Sequence, residues 1–82
     1  MIREYLASAM KRAQYEILSD DGTYYGEIPG FDGVYANAPQ LEECRNLLEE
    51  VLEEWLLLSL SRGLPIPVVQ GRKLKISDYS VK

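Results

Sequence analysis

Five carboxylates crowd into residues 16–32: Glu16, Asp20, Asp21, Glu27 and Asp32. Acidic side chains converging from neighbouring strands are the apparatus of two-metal hydrolysis, in which paired cations hold the attacking and leaving oxygens. Residue type argues against that use here. Asp20 and Asp21 precede Gly22 and read as turn residues, and Asp32 opens an Asp-Gly turn. Only Glu16 and Glu27 fall in runs that read as strands, and two carboxylates make a thin cage for a hard cation. The chain has no histidine, which removes the commonest general base and any Ser-His or Cys-His nucleophile pair. Cys44, the single cysteine, lies on an apolar stripe and reads as a small buried hydrophobe. It leaves no partner for a disulfide or a zinc site. The expectation is therefore no catalytic residue, no metal, no cofactor and no enzyme.

The elements that would position these groups can be read from periodicity. Ile2, Tyr5, Leu6, Ala9, Met10 and Ala13 recur at steps of three and four, predicting an amphipathic helix over 2–11. Tyr15 and Ile17 then alternate with Glu16, and residues 14–28 read as a β-hairpin turning at Asp20-Asp21-Gly22. Gly26, inside its second strand, leaves room for a backbone or a ring to approach. Pro29-Gly30 and Asp32-Gly33 punctuate a loop around Phe31, and 34–37 reads as a third strand. Asn37 with Gln40 could form a capping box, with Pro39 in the first turn.

Leu41, Cys44, Leu48, Val51, Trp55 and Leu58 trace the apolar stripe of a long helix, widened by Leu47, Leu52 and Leu56. Arg62, Gly63 and Pro65 supply its stop. From 56 to 60 the helix is apolar nearly all round, so its end should meet a second surface. Residues 65–69 read as extended, and 73–77 as a last edge strand with lysines facing water. The architecture expected is α+β: one domain over 1–82, with an N-terminal helix, a three-stranded antiparallel sheet, one long helix on its face and a short C-terminal strand.

Bulk properties narrow the partners. The chain has 82 residues with a net charge of −4, which disfavours direct nucleic-acid binding and suits a basic protein partner. No signal peptide is visible, and the apolar run at 55–60 falls far short of the ~20 residues that span a bilayer. The cytoplasm is the expected location. A core this small favours association with itself or a partner.

The YYGEIPG turn region, the GVYA strand and the LEECRNLLEEVLEEWLLL helix, in that order and spacing, resemble the HicB-like antitoxin family. The resemblance covers more than half the chain. It implies a truncated, degenerate ribonuclease H-like fold without nuclease activity. It also implies a type II antitoxin that binds and occludes a small basic toxin of the HicA type, a double-stranded-RNA-binding-domain fold that cleaves messenger RNA with a histidine. Two departures stand out. Gln40 replaces the usual threonine or serine cap, which weakens or shifts the helix start. After Gly63 no helical period remains for the DNA-binding domain that many members carry.

Position and residue type nominate Tyr25, Glu27, Phe31, Asp32 and Tyr35 as the toxin-facing surface. A homodimer or higher oligomer would use a bare sheet edge or Trp55, Leu56, Leu57 and Leu60 at the helix end. The alternative function is a self-assembling homo-oligomeric interaction module with no toxin.

Overall fold

The computed structural model describes residues 2–68. Five elements follow in order: α1 (Ile2–Met10), β1 (Gln14–Ile17), β2 (Tyr24–Glu27), β3 (Tyr35–Ala38) and α2 (Leu41–Ser61). The sheet is an antiparallel meander in the order β1-β2-β3, and α2 packs on one face of it, against β2 and β3. The α+β class expected from periodicity is the one observed. The strand expected at 73–77 lies outside the described residues, as does residue 69 of the predicted extended segment.

Local chemistry explains the first hairpin. Asp21 accepts hydrogen bonds at one carboxylate oxygen from the Thr23 N–H (3.0 Å) and hydroxyl (2.7 Å), a side chain standing in for a backbone turn. These bonds hold the Asp21 carboxyl below the ordinary carboxylate value. Gly22 takes φ 72°, a left-handed conformation open to glycine at little cost.

Register then divides the sheet into two faces. Tyr15, Gly26 and Ala36 form one cross-strand row, and Ile17, Tyr24 and Ala38 the next. Both rows face α2. Gly26 leaves no room for a side chain: a Cβ built there would stand 2.8 Å from the Tyr15 ring and 3.2 Å from Cys44 Sγ. The ring approach anticipated at this glycine is real, and Tyr15 supplies the ring.

The core consists of Ile28, Phe31, Val34, Ala36 and Ala38 from the sheet side, Tyr5 and Ala9 from α1, and Cys44, Leu48, Leu52, Leu56 and Leu60 from α2. Fully burying a leucine such as Leu48 or Leu52 contributes about 2 kcal/mol through apolar area removed from water. With 21 residues, α2 is about 30 Å long at 1.5 Å per residue. Each strand has four residues and spans only about 13 Å. The helix therefore outruns the sheet; α1 also packs against it, and Ile66 packs against the shared core. The Tyr5 hydroxyl donates to the Pro67 carbonyl, tying the two ends of the described chain together.

Three details differ from the sequence reading. The third strand is Tyr35–Ala38, one residue later than expected. The helix begins at Leu41 with Gln40 as N-cap, and no side chain caps it. Asn37 is in the strand instead, and its amide donates to Thr23 Oγ1 (2.8 Å) and the Tyr24 carbonyl (2.7 Å). Strand pairing claims Asn37 before a cap can, and Pro39 stays outside the helix. At the other end the reading holds. Gly63 has φ 67°, the Gly63 N–H donates to Leu60 and the Leu64 N–H to Ser59, which together make a Schellman stop.

Candidate functional site

The sheet face turned away from α2 is built from the other half of the register. Gln14, Glu27 and Tyr35 form one row across the three strands, and Glu16, Tyr25 and Asn37 the next. Alternation along each strand places all six side chains on this face. No element among the described residues covers it.

Tyr25 and Tyr35 lie on diagonal positions and stack, with ring centroids 6.1 Å apart and planes 27° from parallel. The Tyr25 hydroxyl donates to Glu27 Oε1 at 3.2 Å. Tyr35 is 57 % exposed, so the pair presents aromatic surface to solvent. Glu16 sits directly across from Tyr25. A shallow hollow opens between them, lined by Gln14, Tyr15, Glu16, Tyr25 and Glu27.

The electrostatics are one-sided. The Tyr25 hydroxyl is held above the ordinary phenol value, first by desolvation, then by its bond to Glu27 and by the negative potential of Glu27 and Glu16. This face holds two carboxylates and two phenols with no cationic side chain among its six positions. It can receive a cation and a flat or apolar group side by side; it offers no nucleophile–base pair.

The other expected positions are placed as follows. Tyr25, Glu27 and Tyr35 come together here. Asp32 is exposed in the loop between β2 and β3, which leaves the sheet at the Glu27–Tyr35 end. Phe31 is corrected: it is buried, edge-on to Tyr5 (6.4 Å) and Trp55 (5.3 Å). Two turn hydrogen bonds, Phe31 N–H to Ile28 and Val34 N–H to Phe31, fold its loop so that the ring closes the core. The spacing carried that signal, since Ile28, Phe31 and Val34 recur at three-residue steps and are all buried. Glu16, weighed only as a metal ligand, and Gln14 belong to the face and were missed as such.

Of the helix-end set, Leu56 and Leu60 are also corrected. Both are buried in the chain's own core, in one cluster with Tyr5, Phe31 and Leu52. Trp55 is half-buried against Phe31, and Leu57 alone of the four is exposed. Cys44 is buried, its thiol 3.6 Å from the Ala36 carbonyl, and burial raises its pKa. Among the described residues no three metal-ligating side chains gather. No described helix is long and apolar enough to cross a membrane.

An aromatic and acidic sheet face lies opposite a single long helix in a small α+β domain, and sequence comparison gives it a family. The chain belongs to the UPF0150-like family, whose model matches residues 4–67. It is similar to TTHA0281 from Thermus thermophilus, whose crystal structure shares 43% identity and superposes with a TM-score of 0.84, covering 90% of this chain and 91% of that one. No curated protein matches.

Proposed function

We propose that this protein is an antitoxin of the HicB type, which neutralises a small basic HicA-like toxin by covering its RNA-binding surface. The UPF0150-like family is of the HicB-like type, and this supports the class of the reading. The observation that carries it is the outer sheet face, where Glu16 and Glu27 lie side by side with the Tyr25–Tyr35 stack. Stacked tyrosines provide large, rigid contact area at low entropic cost, the usual make-up of interface anchors. Flanking carboxylates steer a basic surface onto them and pair with its lysines or arginines. The mechanism is occlusion. It needs no catalytic group, no cofactor and no nucleic-acid contact by this chain.

Co-expression provides the test. A small basic histidine-containing toxin of the HicA type should arrest growth when produced alone, and co-production of this chain should relieve the arrest. Glu16→Lys with Glu27→Lys should abolish relief while the variant remains folded. Relief undiminished by that double change would remove the outer face from the account.

The alternative, a self-assembling module without a toxin, draws on Leu57 and Leu58, which are exposed near the end of α2. Burial of Leu56 and Leu60 within the monomer removes half of the apolar set on which that reading was built.

A further inference from the structure

The side of α2 turned away from the sheet is a second patterned surface. Glu43, Leu47, Glu50, Glu54, Leu57 and Leu58 follow one another at steps of four, three, four and three or four. That spacing keeps them on one stripe of a helix. All six are exposed, with Leu47 at 40%, Leu57 at 41% and Leu58 at 50%. Two shallow hollows lie along the stripe, one beside Pro39, Glu43 and Leu47, the other between Glu54, Leu57 and Leu58. Along the stripe, Leu47 and the Leu57–Leu58 pair thus flank an acidic centre at Glu50 and Glu54, with Glu43 one turn before Leu47. An outward helix face needs no leucines for its own fold, and three of them at seam spacing make a groove-and-ridge surface suited to another helix.

Charge decides what fits. The helix carries six glutamates and a single basic residue, Arg45. Arg45 lies on the opposite side, lining a depression with Ala7, Met10 and Lys11 near α1. Glu50 and Glu54, one turn apart, repel each other with no cation between them on the stripe. A second copy docked antiparallel would match Leu47 with Leu57 and Leu58, but would set Glu50 against Glu54 twice at the centre of the contact. Like charges brought together there oppose self-association. A helix with the inverse pattern relieves the repulsion and covers the leucines at once.

We propose that this outward face of α2 is a docking site for a basic amphipathic helix. Its occupant presents two apolar clusters about ten residues apart, matching the Leu47 to Leu57 separation, with lysine or arginine between them. The site is on the opposite side of the molecule from the Tyr25–Tyr35 face and operates independently of it, so the two surfaces can be engaged together.

The test uses the full chain and a fluorescein-labelled synthetic helical peptide with leucines about ten residues apart and lysines between them on the same face. Anisotropy titration should show saturable binding. Leu57→Ser with Leu58→Ser should weaken it at least tenfold, and so should Glu50→Lys with Glu54→Lys. Glu16→Lys with Glu27→Lys on the sheet should leave it unchanged, which separates failure of this site from failure of the antitoxin reading. A peptide carrying glutamate in place of lysine should not bind. All the substituted side chains are exposed, and matching urea midpoints verify that each variant is folded. Binding insensitive to the leucine changes, equal binding of the glutamate peptide, or absence of binding would each overturn the proposal. So would a wild-type dimer in sedimentation equilibrium that Leu57→Ser with Leu58→Ser dissociates, since a second copy would then be the occupant.

Discussion

Tyr35 stacks on Tyr25 across the diagonal of the outer sheet face, 6.1 Å between centroids, while the Tyr25 hydroxyl reaches Glu27 at 3.2 Å. Three exposed or half-exposed side chains on two strands are thereby locked relative to one another before any partner arrives. Such preorganisation lowers the entropy lost on binding. Removing Tyr35 should therefore harm recognition more than folding. Tyr35→Ala should change the unfolding free energy by less than about 1 kcal/mol in urea titration, yet weaken binding of a basic protein partner about tenfold or more by calorimetry.

Phe31 should behave in the opposite way. Its ring packs between Tyr5 and Trp55, and truncation leaves a cavity at the junction of α1, α2 and the β2–β3 loop. Phe31→Ala should cost about 3–5 kcal/mol of stability. Any loss of partner binding should track the unfolded fraction and vanish under conditions where the variant is folded.

Gly26 tests the tight space beneath the Tyr15 ring. An added methyl meets the Tyr15 ring at 2.8 Å and Cys44 Sγ at 3.2 Å, so Gly26→Ala should destabilise by roughly 1–3 kcal/mol. Tyr15 is only half-buried on the edge strand, and its ring is the nearer obstacle. In a Tyr15→Ala background the same change should cost less, giving a measurable coupling in a double-mutant cycle.

Cys44 gives a pH dependence with a defined sign. Burial raises its thiol pKa in the folded chain, so between the unfolded and folded values the unfolded chain holds fewer protons. Stability is then complete below the ordinary thiol value of about 8.5 and declines as pH rises through the folded value. The urea midpoint should begin to fall above about pH 8.5. Cys44→Ala should lack this first decline while retaining a steeper one beyond about pH 10, where the raised tyrosines Tyr5, Tyr15 and Tyr25 titrate. The native thiol should react with a disulfide reagent far more slowly than the urea-unfolded chain.

What was legible in the sequence was whatever local chemistry decides. The Asp20-Asp21-Gly22 turn, the stop at Gly63 and the close approach at Gly26 each follow from one residue type's conformational freedom. The stripe from Cys44 through Leu56 follows from period alone. Assignments that depend on competition between neighbours were harder. Asn37 suits a cap by type, but pairing with Tyr25 takes it into β3. Phe31 is a lone aromatic among turn residues and looks exposed until its three-residue spacing from Ile28 and Val34 is noticed. Around the end of α2, leucines occupy every direction, and period cannot say which side will be covered. The structure settles it: Leu56 and Leu60 go inside, and Leu57 and Leu58 stay out. The outer face was half visible, since Tyr25, Glu27 and Tyr35 were named from type. Glu16 joined them only once register put it opposite Tyr25.

The central claim is that the outer sheet face captures a basic protein. Its most direct test maps amide chemical shifts of the labelled full chain during titration with a small basic protein of the toxin class proposed above. The account predicts perturbations concentrated at Gln14, Glu16, Tyr25, Glu27 and Tyr35, lost on Glu16→Lys with Glu27→Lys. Perturbations confined to α2 with these residues unmoved, or no perturbation at saturating partner, would contradict it.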